Sequence, residues 1–222
     1  MMPARHDLVY LESAAWGAIV ASRADLAEPV VAGWAEAGRP LVMRRAMANE
    51  VVANGMVPLG LPLPPSLGKR RIAVQAPFAA IAQVTPPPLL SVAMAIAPPA
   101  WQPALAAIDQ LAEAHGFAAR IFGGLAWQHV TGLEYLSATS DLDLLLPLPA
   151  DGLETLLAGL AAIEAEAPMR LDGELVRADG VAVHWRELHQ GVAEIMAKTP
   201  VAIVLMKRED FASEHFIGEA LA

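Results

Sequence analysis

The run Ile121-Phe122-Gly123-Gly124-Leu125-Ala126-Trp127-Gln128 is followed, seventeen residues beyond its second glycine, by Asp141-Leu142-Asp143-Leu144-Leu145-Leu146. Residues 119–122 read as a strand, the glycine pair as a turn, and residues 125–131 as a helix. Residues 141–146 read as a central strand. Because side chains alternate along a strand, Asp141 and Asp143 are expected on one face while Leu142 and Leu144 enter the core. Two carboxylates at the mouth of a buried strand repel each other unless a cation lies between them. Such a pair suits Mg²⁺, a hard ion that keeps some waters and takes further ligands from phosphates. Gly123 and Gly124 allow backbone to approach those phosphates, and a helix beginning after them offers free N–H groups to an anion. Taken together these features indicate metal-dependent nucleotidyl transfer, with Asp141 and Asp143 as catalytic and metal-binding residues.

Working outward, alternating strands and helices continue on the C-terminal side. A helix is expected over 152–165, and strands over 169–177 and 181–186 flank the hairpin turn Ala178-Asp179-Gly180. A last strand is expected over 201–206. Toward the N-terminus, strands are expected over 7–11, 40–45, 56–61 and 70–74, with helices from Ser13 divided near Pro29, and these strands suggest a small mixed sheet. Helices over 89–96 and 99–115 follow, and Gly116 is placed to end the second. The fold class expected is therefore α+β. A substrate- or carrier-binding part would occupy residues 1–115 and the catalytic domain residues 116–222.

The chain has 222 residues, 55% hydrophobic, enough for a sizeable core of one large or two small domains. It has no cysteine, which removes disulfides, thiolate nucleophiles and Cys-based zinc sites. Its opening residues lack the apolar core of a secretory signal, so a cytoplasmic protein is expected. Residues 72–108 carry no charge, yet seven prolines interrupt them and a membrane span is not expected. A formal charge of −9 argues against general affinity for nucleic acid or anionic membranes. Any anion must be met locally, and Arg44, Arg45, Lys69, Arg70 and Arg71 are the clustered cations available for substrate phosphates.

Other chemistries lack support. There is neither a dinucleotide fingerprint nor a P-loop, no G-x-S-x-G elbow, and no zinc spacing among the six histidines. His6 beside Arg5 is the one histidine with a case for touching an anionic substrate. A third metal-binding carboxylate is sought at Asp172, with Glu174, which shares its strand face, and Glu187 as alternatives.

Two acids spaced this way behind a glycine pair resemble the signature of the polymerase-β-like nucleotidyltransferase superfamily. The longer pattern, with Thr131-Gly132-Leu133 and Ser140-Asp141-Leu142-Asp143, is similar to one branch of it. That branch is the phosphoribosyl-dephospho-CoA transferases, the holo-acyl-carrier-protein synthases of malonate decarboxylase. Arg5-His6-Asp7-Leu8, Pro40-Leu41-Val42-Met43-Arg44-Arg45, residues 57–65, Gly68-Lys69-Arg70-Arg71, Asp172-Gly173-Glu174 and Trp185-Arg186-Glu187 agree with it. Gly124 departs, since this branch more often has Ser there, and residues after Arg208 have no match.

The resemblance implies transfer of a phosphoribosyl-dephospho-CoA group from 2′-(5″-triphosphoribosyl)-3′-dephospho-CoA to a serine of the apo acyl-carrier subunit of malonate decarboxylase. Pyrophosphate is released and Mg²⁺ is the cofactor. Ser140, the glycine pair and the five cations would bind substrate. The alternatives are a related transferase acting on another carrier, such as that of citrate lyase, a protein-adenylylating enzyme, or a non-catalytic module that docks a carrier.

Overall fold

The computed structural model describes residues 3–47 and 50–213. The chain opens with β1 (Leu8–Leu11), α1 (Ser13–Ala21) and α2 (Pro29–Ala32), the last started by a proline whose missing N–H has no helical partner to lose. Four strands follow: β2 (Leu41–Met43), β3 (Met56–Pro62), β4 (Arg71–Pro77) and β5 (Ile81–Thr85). Next come α3 (Leu90–Ala93), α4 (Gln102–Ala114), β6 (Arg120–Phe122) and α5 (Gly123–Thr131). Then β7 (Leu142–Pro147), α6 (Leu153–Glu166), β8 (Leu171–Val176), β9 (Ala182–His184) and α7 (Trp185–His189). The described part closes with β10 (Glu194–Lys198), β11 (Ile203–Lys207) and α8 (Arg208–Ala212). The class is α+β, as expected, and among the described residues no helix is long and apolar enough to cross a membrane.

The contacts divide the chain into two compact units, Met1–Pro88 with Gly124–Ser137, and Leu89–Gly123 with Ala138–Ala222. The break therefore falls after Pro88 and not after His115. Leu90 N–H donates to the Ala119 carbonyl, and Leu89 bridges to Arg120, so α3 joins β6. Gly116, at φ +77°, ends the α4 helical region as expected, but a helix end is not a domain end.

In the first unit a five-stranded sheet has the order β4-β3-β2-β1-β5, and every pairing is antiparallel, so the mixed sheet expected there is corrected. Strand β4 buries Ile72, Val74 and Ala76 in strict alternation, the pattern of a strand with one face on a core. Val57, Leu59 and Leu61 of β3 stand beside them on the same face, and Trp16, Leu26 and Trp34 belong to the same core. Each buried indole has a partner: Trp16 donates to the Val31 carbonyl and Trp34 to the Pro40 carbonyl. Trp127 of α5 is part of the same core, and Tyr135 packs beside it. The Tyr135 hydroxyl donates to the Pro62 carbonyl at 2.9 Å, and burial raises its phenol above the ordinary range.

In the second unit a six-stranded sheet runs β11-β10-β9-β8-β7-β6. Only β7 and β8 are parallel, and α6 supplies the crossover that a parallel pair requires. Leu142, Leu144 and Leu146 of β7 are buried, as are Leu156, Leu157 and Leu160 of α6 and Leu105 and Ile108 of α4. Helices α4 and α6 approach closely at Gly159, where an added Cβ would lie 2.8 Å from Leu111.

Candidate active site

The bend from β6 into α5 is made at Gly123, whose φ of +61° lies in the left-handed region that disfavours side chains. Space imposes the same requirement. Phe122 pairs with Asp143 across the β6–β7 ladder, and the Asp143 carboxylate lies over the glycine. A Cβ built on Gly123 would stand 1.8 Å from Asp143 Oδ2 and 2.3 Å from its Cγ. Glycine is thus the residue that lets this carboxylate settle onto the bend.

The parallel β7–β8 register sets Asp143 beside Asp172 and Leu145 beside Glu174. Register partners on adjacent strands point to the same face and stand about 5 Å apart along the hydrogen-bonding direction. Asp143 and Asp172 are accordingly neighbours, a relation that arises between strands 29 residues apart in sequence. Asp141 is half-buried and stands immediately before the first residue of β7, one residue outside the strand expected for it. Ser140, also half-buried, precedes it.

The alternative third acids are committed elsewhere. Glu174 is 2% exposed and receives the Lys198 ammonium at 2.5 Å, so its charge is already neutralised within the sheet. Glu187 accepts the Met196 backbone N–H at 2.7 Å and lies in α7, whose first two residues, Trp185 and Arg186, were expected in the strand over 181–186.

The clustered cations separate into two kinds. Arg44 places a two-pronged grip on Glu50, with Nη1 and Nη2 at 2.5 and 2.6 Å from its oxygens, while Nε donates to the Leu59 carbonyl. Its fork is built into the first unit, which corrects the expectation that it is available for phosphate. The same grip, aided by the Met47 N–H and Gln75, holds the Glu50 carboxyl down at about 2 against the cost of burial. Arg45 is half-buried, whereas Lys69, Arg70 and Arg71 are exposed on the turn into β4. That turn passes through positive φ at both Gly68 and Lys69, and it presents three consecutive cations to solvent.

Comparison with known proteins bears on this arrangement. Residues 4–87 match the phosphoribosyl-dephospho-CoA transferase MdcG N-terminal domain, and residues 89–209 match the phosphoribosyl-dephospho-CoA transferase MdcG C-terminal domain. The chain belongs to the phosphoribosyl-dephospho-CoA transferase family. It is 46% identical to the phosphoribosyl-dephospho-CoA transferase of Bradyrhizobium diazoefficiens, over 95% of this chain and 93% of that protein. Identity to the enzyme of the same name from Xanthomonas euvesicatoria pv. vesicatoria is 40%, over 89% and 91%. The one from Azotobacter vinelandii is 33% identical, over 89% and 90%. No solved structure matches the chain. As a member of this family the protein is an enzyme, a transferase.

Two further features of the transferase escaped the sequence reading. His184 lies 2.8 Å from Asp172 through its Nε2, and Arg186 forms an ion pair with Glu164 of α6. Burial works to raise the Glu164 carboxyl, but the guanidinium and the Leu171 N–H outweigh it and leave the group lowered. The signal was available. The hairpin about Ala178-Asp179-Gly180 pairs Glu174 with His184, and that register puts His184 diagonal to Asp172.

Among the described residues no three His, Asp or Glu side chains converge as a ready-made metal cage. The residues present still fit Mg²⁺, because this ion takes one or two carboxylates and completes its shell from water and substrate phosphate. Asp143 and Asp172 supply such oxygens side by side.

Proposed function

We propose that this transferase moves the 2′-(5″-phosphoribosyl)-3′-dephospho-CoA group from its triphosphate precursor to a serine of the apo acyl-carrier subunit of malonate decarboxylase. The observation that carries the reading is the seat of Asp143 on Gly123, in register with Asp172. It is the carboxylate arrangement expected of a polymerase-β-type nucleotidyltransferase, on a sheet in which β7 and β8 are parallel and the remaining pairs are antiparallel.

In the reaction the serine Oγ bonds to the α-phosphorus, the bond from that phosphorus to the bridging oxygen of the β-phosphate breaks, and pyrophosphate departs. The serine proton passes to solvent or to a site carboxylate. Asp143 and Asp172 would hold Mg²⁺, which would supply positive charge to the α-phosphate and the leaving group, and Asp141, the residue before β7, is the further acid proposed for it. Gly123 keeps the bend free of side-chain atoms, so that Asp143 and the phosphate chain share one space. Arg45, Lys69, Arg70 and Arg71 of the first unit are the cations proposed to grip the dephospho-CoA phosphates or the carrier, since Arg44 is spent on Glu50.

The test is intact-mass measurement of the apo carrier after incubation with enzyme, Mg²⁺ and the triphosphate precursor, with ATP as competitor. The carrier should gain the mass of the prosthetic group, with pyrophosphate formed in equal amount. Asp141→Asn should slow the reaction by about 10²-fold or more while leaving the fold intact. An adenylylated carrier, or no adduct, would sink this reading.

A further inference from the structure

We infer that His184 is the positioning residue for Asp172, holding one carboxylate oxygen so that the other faces the reaction. The inference rests on the proposed reading that Asp172 joins Asp143 at the site.

The geometry settles which ring nitrogen carries the proton. His184 is the N-cap of α7, and its Nδ1 accepts the Arg186 backbone N–H at 3.1 Å. A nitrogen that accepts cannot also be protonated, so in the neutral ring the hydrogen is on Nε2. That nitrogen lies 2.8 Å from Asp172 Oδ1, a donor meeting an acceptor. The opposite tautomer would set a lone pair against a carboxylate oxygen at the same distance. Arg186 Nη1, which can only donate, stands 3.4 Å from Nε2, a longer and weaker approach than the 2.8 Å carboxylate contact, so the carboxylate sets Nε2 as the donor.

The ring has little freedom to move. Its neighbour Trp185 is 2% exposed and donates through Nε1 to the Leu171 carbonyl, and the two rings stack with 22° between their planes. Arg186, on the other side of the cap, lies over the Trp185 ring and is tied to Glu164. The histidine is thus fixed by a helix cap at one nitrogen and the carboxylate at the other, next to a buried indole that is itself anchored. It passes that rigidity to Asp172, whose own side chain is 41% exposed and would otherwise sample several rotamers. Partners that orient a ligating carboxylate in this way typically matter 10–100-fold to metal affinity or rate.

Two substitutions separate the roles of the two nitrogens. His184→Asn keeps an acceptor near the Nδ1 position and can still cap α7, but it does not reach Asp172. His184→Gln reaches Asp172 with an amide N–H and gives up the cap. We would measure kcat and KM for the triphosphate precursor, thermal midpoint, and Mn²⁺ affinity of the substrate-free protein by water-proton relaxation. The expected result is a His184→Asn protein with a near-wild-type midpoint, with kcat and Mn²⁺ affinity each lowered about 10–100-fold and KM little changed. His184→Gln should recover both while melting earlier. A His184→Asn protein with wild-type kcat and Mn²⁺ affinity overturns the inference. So does loss of activity in both variants in step with their melting, which would mark a purely structural histidine. Asp172→Asn distinguishes the two levels: full activity in that variant removes Asp172 from the site and the underlying reading with it. If it is inactive while His184→Asn is not, only the positioning role fails.

Discussion

At Gly123 two independent constraints meet, a backbone φ of +61° and a carboxylate where a β-carbon would go. Alanine at this position would suffer a left-handed backbone cost of about 1–2 kcal/mol and would push Asp143 aside. Displacing a catalytic group by about 1 Å costs on the order of 10² in rate, so with Asp143 in its proposed role Gly123→Ala should fold less stably and transfer at about a hundredth of the wild-type rate. Gly124 is the control. Its Cβ would meet only a Leu136 methyl at 3.1 Å and its φ is not in the left-handed region, so Gly124→Ala should disturb kcat far less. Steady-state kinetics on the two proteins decide the matter, and equal losses would show that Asp143 does not depend on the bend.

Among the elements, the connection from β2 to β3 is held by one acid. Glu50 takes the Arg44 fork at the end of β2 and a hydrogen bond from Gln75 of β4, so a single carboxylate links segments on both sides of β3. Its folded value of about 2 lies below the ordinary 4.5. A lowered carboxyl contributes stability that is complete above the unfolded value and is lost as pH falls toward the folded one. Urea unfolding should therefore show wild-type stability declining between pH 4.5 and pH 2 with a contribution from this group. Glu50→Gln should be weaker at neutral pH and decline less over that interval; an identical pH dependence in the two proteins would clear Glu50 of the role. Two strands, β5 and β10, were not legible in the sequence. β5 is an edge strand with three exposed residues in the pattern Ile81-Ala82-Gln83-Val84-Thr85, and it shows no alternation to read. β10 alternates, but its buried set is only Ile195 and Ala197.

At the scale of the molecule, the order of residues along the chain is not the order of its compact units. The matched family domains divide at residues 87 and 89, yet Gly124–Ser137, drawn from within the C-terminal match, packs with the N-terminal sheet. Trp127 is the clearest sign, being 7% exposed in the core formed by Trp16, Leu59 and Val74. Trp127→Ala should cost about 3–5 kcal/mol of the first unit's stability. A fragment ending at Pro88 should lack protected amides in β3 and β4 that the whole chain protects. Hydrogen exchange on both samples is the measurement, and native-like protection in the fragment would show that the segment after Gly123 is dispensable to that core.

The α+β class, the glycine bend, the buried strand after Asp141 and the family could be read from the chain alone, because they are written in local patterns: period-2 burial, turn residues and motif spacing. Asp172 could likewise be placed among the candidate acids. It took the folded chain to set Asp172 beside Asp143, to pair Glu174 with Lys198 and to give Arg44 to Glu50. Those outcomes depend on strand register and on which side chain reaches which partner, and no window of sequence holds both members of a pair that folding brings together.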